Sequence, residues 1–239
     1  MDHVTIITAS EAFNYPPDHV RLSYLITQNV QRRIQQAFQF QQAAITQPPA
    51  TFGPVELTNP PGLVYEWGEW SEDGVLIPIR VLHIESRRVV WQIAGAHTHS
   101  VDAIMQHLLD TCATSLTAEG KKILEPWAGT QWFSELSFTL DIAPDTWHRS
   151  FPLLQLIDDA IYTVIPPEKK TLPAVTVFNY RPDDVFPGEY RPWHGSKFTL
   201  TLRAGTSIAD NTYYSAAPLQ TDAHIALVQR IEKYLQTQE

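Results

Sequence analysis

A chain of 239 residues, 44% apolar and 11% aromatic, has material for one sizeable core or two smaller ones. Its 26 acidic residues against 17 basic ones set a formal charge of −9, a field that repels nucleic-acid backbone, and the single Cys112 excludes an internal disulfide framework. No charged-then-apolar leader, no run of roughly 18 apolar residues and no GxGxxG or GxxxxGK[ST] cradle occurs, so the expectation is a soluble, cytoplasmic protein that binds neither membrane nor nucleic acid.

In chain order, His3 to Ala9 make a short apolar run, and Asp18 in "YPPDHV" can cap a helix expected to reach about Gln42. Leu22, Ile26, Val30, Ile34 and Phe38 recur at every fourth position of it, with Leu25, Ala37 and Phe40 beside them. A four-residue step drifts around an α-helix by about 40° each time, so such a helix wraps around a core or breaks in two. Gln28, Gln31, Gln35, Gln39 and Gln42 line its other face and read as solvated. "QPPATFGPVELTNPPG" (Gln47 to Gly62), with five prolines and two glycines, is a connector. The expected organisation is a strand and long helix over 1–47, the connector over 48–62 and a main sheet domain over 63–239, with 1–47 either separate from it or part of the same domain.

Strands follow at "LVYEWGEW", "VLIPIRVLHI" and "RVVWQIA", the last two joined by a turn at Glu85 to Arg87. The second is apolar on both faces near Ile77 to Leu82, as in a central strand, while Pro78 asks for an edge or a bulge. Val101, Ile104, Met105, Leu108, Leu109 and Cys112 then form one apolar stripe on a helix, with Ser100 as its N-cap and Asp102 in its first turn. "FSELSFTLDI" alternates Leu136, Phe138, Leu140 and Ile142 against polar neighbours, and a helix is expected from near Pro152. "PAVTVFNY", "KFTLTLR" and "TYYSA" are further strands, before a closing helix over about Asp222 to Leu235. Strands with one wet face, repeatedly followed by an amphipathic helix, predict an α+β fold: a curved antiparallel β-sheet with helices on one face, the strand-strand-helix order recurring.

"QIAGAHTHSVDAI" carries the sharpest chemical signal, because His97 and His99, at i and i+2 on a strand end, can converge on one cation. "HTHS" resembles the opening motif of the PHP (polymerase and histidinol phosphatase) family of metal-dependent phosphoesterases, and "QTDAH" (Gln220 to His224) resembles that family's closing Asp-x-His. The resemblance spans these two motifs alone. It implies His97, His99, Asp222 and His224 as ligands around metal whose bound hydroxide attacks a phosphoester. The residues also have a plainer use as helix starts. On a helix beginning at Asp222, moreover, Asp222 and His224 point about 160° apart, with His224 on the apolar stripe. His107 falls opposite its own helix's stripe and is expected to face water.

"NYRPDDVFPGEYRPWHGSK" (Asn179 to Lys197) joins two strands through a long loop in which Arg181, Tyr190, Arg191, Trp193 and His194 would form a recognition surface. "YEWGEWSEDG" sets Glu66, Glu69, Glu72 and Asp73 near Trp67 and Trp70, either as a sugar site or as a strand with one wet face, Glu66 lying opposite Tyr65 and Trp67. Cys112 reads as inert packing, and His148 and Ser150 in "DTWHRSF" as loop residues. No serine sits in a GxSxG elbow. The expected function is a non-enzymatic binding or assembly protein without a cofactor. It would engage a partner protein or small ligand through the sheet face and the 179–197 loop, and a homo-oligomer is compatible with this. The alternative is a metal-dependent hydrolase using the His97-Thr98-His99 motif with Zn, Mn or Fe.

Overall fold

The computed structural model describes residues 2–16, 20, 25–46, 62–115, 124, 127–142, 146, 175–179, 197–206 and 210–237. Within them lie β1 (Asp2–Asn14), α1 (Gln28–Ala37), β2 (Gln42–Thr46), β3 (Gly62–Glu72), β4 (Val75–Glu85), β5 (Arg88–Ala94), α2 (His99–Ser115), β6 (Gly129–Thr139), β7 (Val175–Asn179), β8 (Lys197–Leu202), β9 (Thr212–Ala217) and α3 (Thr221–Gln236). The fold is α+β with an open antiparallel sheet, as the alternation predicts. The chain divides into two compact units, one of residues 7–133 and one of residues 1–6 with 134–239.

In the unit of residues 7–133 the strand order is β2-β3-β4-β5-β1, and each neighbouring pair is antiparallel. Phe13, Tyr65, Leu82, Ile84, Val89 and Trp91 point to one face, where Val30 and Ile34 of α1 and Val101, Ile104, Met105, Leu108 and Cys112 of α2 complete a single core. Both helices therefore cover the same side. Trp91 sits at its centre with its ring 5.1 Å from Phe38 and its indole N–H directed at Met105 Sδ, 3.5 Å away. Each fully buried Leu, Ile, Val or Phe here contributes about 1.5–3 kcal/mol.

The other unit has the order β6-β9-β8-β7, again antiparallel throughout. Leu136, Phe138, Leu140, Leu200 and Tyr213 bury against Val228 and Leu235 of α3, so this helix too occupies one face. The two units share a plan. In each, an opening strand pairs with the last strand of an antiparallel meander, and that last strand leads into a helix.

Several expectations change in detail. The first strand runs to Asn14, well past Ala9. The long N-terminal helix breaks, because Thr27 is extended (ψ 137°) and α1 spans only Gln28–Ala37. Val30, Ile34 and Phe38 keep their buried stripe, but Ile26 is 43% exposed, and β2 begins at Gln42 where the helix was expected to end. α2 starts at His99, so Ser100 lies inside the first turn instead of capping it. α3 starts at Thr221, after Gln220. Nor is every strand wet on one side: Thr8, Ser10, Ala12 and Val90 face away from the helices and are nonetheless buried. The connector up to residue 61, the helix expected from Pro152 and the loop over 180–196 lie outside the described residues. No helix among the described residues is long and apolar enough to cross a membrane.

Candidate functional site

β5 ends at Ala94, and Gly95, at φ 69°, turns the chain with a left-handed residue that costs glycine little. Ala96 and His97 follow, and backbone bonds from Ser100 N–H to His97 O (3.1 Å) and from Val101 N–H to Thr98 O (2.9 Å) wind the chain into α2. This tight entry brings the imidazoles of His97 and His99 side by side, their ring centroids 5.2 Å apart and tilted by 31°. A ligating nitrogen of each lies within 4.8 Å of the other. His97 is half-buried and His99 exposed.

One turn further along α2, Asp102 is exposed, and partial desolvation of its carboxyl acts to raise it while neighbouring His99 acts to lower it. On β1 stands a further titratable group that is absent from the expectations above. Glu11 is 2% exposed and shares the core face of β1 with Ala9 and Phe13. Its Oε1 accepts a hydrogen bond from Trp132 Nε1–H at 3.0 Å, and its Oε2 is buried without a hydrogen-bond partner. Burial, reinforced by the charge of Asp102, pushes the Glu11 carboxyl up to about 8, so it holds its proton at neutral pH. The signal was legible: in "TASEAFN", the period of two that sends Ala9 and Phe13 inward sends Glu11 with them.

The opposite face of the same sheet holds a second polar group. Glu85, buried, accepts from Arg88 Nη2 at 3.1 and 3.0 Å and lies 3.2 Å from His83 Nδ1. Burial lowers His83, which keeps it neutral and leaves Nδ1–H to donate to the carboxylate. Thr8 Oγ1 and Ser10 Oγ, on the same face, are buried without partners.

In the other unit His224 is fully buried, 6.2 Å from the Phe198 ring, with Nδ1 2.8 Å from Ser134 Oγ and Nε2 2.8 Å from Ser215 Oγ. Ser134 Oγ also lies 2.9 Å from Leu219 O and Ser215 Oγ 2.9 Å from Thr199 O; a neutral ring donates its one N–H to one serine, which passes its own proton to a carbonyl, and accepts from the other serine at the second nitrogen. Burial dominates and lowers His224 to about 4, so the neutral ring fills a structural hydrogen-bonding role. Both nitrogens are engaged by serines, so His224 has no lone pair to offer a metal. Asp222 stands in the first turn of α3, in this unit.

The remaining candidates fall as follows. Tyr65 is buried, as expected of the core face, but Trp67 takes φ 59° and is 55% exposed, so Gly68 occupies the inward position instead. Trp70 packs on the core, which removes it from any ring platform beside the carboxylates. Cys112 is buried and its thiol is pushed up to about 12, consistent with packing. His107 is exposed, its ring edge-on to Phe38 at 5.2 Å. Arg181, Tyr190, Arg191, Trp193 and His194, with His148 and Ser150, lie outside the described residues. No protein-family model and no curated protein matches the chain.

Proposed function

We propose that the chain is a non-enzymatic binding or assembly protein that engages a partner protein through the sheet of its residue 7–133 unit. The observation that supports this is the β3–β4 ribbon. β5 pairs with β4 only from Ile79 onward, so Glu69–Glu72 and Val75–Pro78 run on as a two-stranded arm with no further strand beside them among the described residues. Val75 and Leu76 on that arm are 64% and 57% exposed, Trp67 at its base 55%, and Ile45 on the edge strand β2 56%. These are four of the seven large hydrophobic residues found exposed among those described, gathered on three adjacent strands. β2 also offers an edge without charged residues, which main-chain pairing with another chain can extend. The aromatic 179–197 loop joins the same reading on its composition alone.

The test is a photo-crosslinking residue at Leu76 in cells that make the protein, with Gln36 on the exposed side of α1 as control. One discrete adduct from position 76, lost when Trp67 and Val75 are changed to Ser, is expected. Equal patterns from both positions, or none from 76, would remove the ribbon as a binding surface.

The metal-dependent hydrolase is kept as a second reading because the His97 and His99 rings stand together. Beyond a cation, it needs a substrate site and a water activated beside it.

A further inference from the structure

We propose that the β3–β4 arm takes a basic amphipathic segment of a partner protein, in which Lys or Arg side chains run beside an apolar row. This rests on the reading of the arm as a binding surface and adds the chemistry of what it binds. From Glu66 at its base round to Ile79 the chain carries four carboxylates, at Glu66, Glu69, Glu72 and Asp73, and no Lys or Arg.

The pairing register sorts these residues by side. Tyr65 and Gly68 both turn toward the helices, because Trp67 between them takes φ 59°, and this leaves Glu66 and Glu69 together on the helix-free side. Across the ribbon Glu69 lies opposite Pro78 and Ser71 opposite Leu76. The helix-free side therefore has carboxylates along β3 and the exposed Leu76 and Pro78 along β4, with exposed Asp73 in the turn at the tip. Glu72 lies on the other side, opposite exposed Val75. Glu66, Glu69 and Glu72 face Val81, Pro78 and Val75 across the ribbon, none of them a base, and none of the four acids forms an ion pair among the described residues.

Exposed apolar side chains alone fit several occupants, and the carboxylates discriminate among them. A nucleic acid, an anionic bilayer and a second copy of a chain with net charge −9 all bring negative charge to a negative strip. A basic segment brings the opposite sign, gains apolar contact with Leu76 and Pro78, and is steered to the arm before contact. From Glu66 to Asp73 the strand rises about 23 Å at about 3.3 Å per residue, a length spanned by about 15 helical or about seven extended residues.

The experiment pans a displayed library of random peptides, about 16 residues long, against the full chain and measures the enriched peptides by fluorescence anisotropy. Enriched sequences should carry net positive charge with interspersed apolar residues. Leu76→Ser/Pro78→Ser should lower their affinity by about tenfold or more, and Glu66→Gln/Glu69→Gln/Asp73→Asn by about tenfold. Asp141→Asn, at an exposed acid of the other unit, should leave it unchanged. Circular dichroism checks that each variant is folded. Should the triple variant misfold, wild type still decides by salt: affinity should fall about tenfold between about 50 and 500 mM NaCl as the charges are screened. Peptides that need Leu76 and Pro78 but are neutral or acidic, ignore the triple variant or bind independently of salt overturn the basic partner and leave the arm a binding surface. No enrichment, or peptides indifferent to Leu76→Ser/Pro78→Ser, overturns both. A dimer in sedimentation, or binding to phosphatidylserine vesicles, that Leu76→Ser/Pro78→Ser abolishes would give the arm to a second copy or to lipid and overturn the proposal.

Discussion

Gly68 and Gly74 sit six residues apart on one hairpin and resist replacement for different physical reasons. A Cβ on Gly68 would lie 2.6 Å from both Phe38 O and the Phe40 ring, so Gly68→Ala forces a backbone and an aromatic side chain apart. Overpacking of this kind costs about 1–3 kcal/mol. Gly74 has open space around it but φ 81°, so Gly74→Ala costs about 1–2 kcal/mol of backbone strain alone. Denaturant melts of Gly68→Ala, Gly74→Ala and Gly74→Asn separate the two mechanisms. Asn tolerates the left-handed region and should recover part of the loss at 74. His224 makes another residue-scale prediction: its imidazole resonances should report a neutral ring until about pH 4, where an ordinary histidine titrates near 6.5. A titration midpoint near 6.5 would mean that the serines bind an imidazolium and that burial is not the dominant influence.

At the scale of elements, what was readable depended on whether local chemistry or the third dimension decided the matter. Asp73 and Gly74, at φ 49° and 81°, form the two-residue turn that joins β3 to β4 with Glu72 opposite Val75, and Asp-Gly between two apolar runs is a direct signal for it. Pro78 is resolved by the sheet itself. It pairs with Glu69 in β3 but precedes the first β5 partner at Ile79, so no neighbour on that side needs its missing N–H. A register shift between Ile79 and Val81 adds the irregularity that the proline suggested. Strict alternation misplaces Trp67, because the positive φ there sends Tyr65 and Gly68, three positions apart, to the same side. The break before α1 was likewise open in the sequence: a stripe at spacing four allows wrapping or interruption, and only the extended Thr27 chooses interruption.

For the whole molecule, two buried titratable groups set an expected pH profile. Glu11 keeps its proton in the folded state up to about 8, whereas the unfolded chain releases it near 4.5, so this group removes stability as pH rises through that window. His224 refuses its proton down to about 4, whereas the unfolded chain takes it up near 6.5, so stability falls as pH drops between those values. From 4.5 to 6.5 the two slopes cancel. Stability to urea should therefore be flat across that range and decline by about 2 kcal/mol between pH 6.5 and 8, at roughly 1.4 kcal/mol per pH unit. Glu11→Gln should flatten the alkaline decline, and an unchanged decline in that variant would assign it to another group. The α+β class, most strands and the apolar stripes of α2 and α3 were determined by the sequence alone, because side-chain periods of two and 3.6 are local properties of the chain. The Trp132 partner of Glu11, the serine-bound His224 and the plan shared by the two units were decided only by tertiary structure. Each depends on residues far apart in the chain, such as Glu11 with Trp132 or Ser134 with His224, and no spacing along the chain encodes which distant strand will lie beside another.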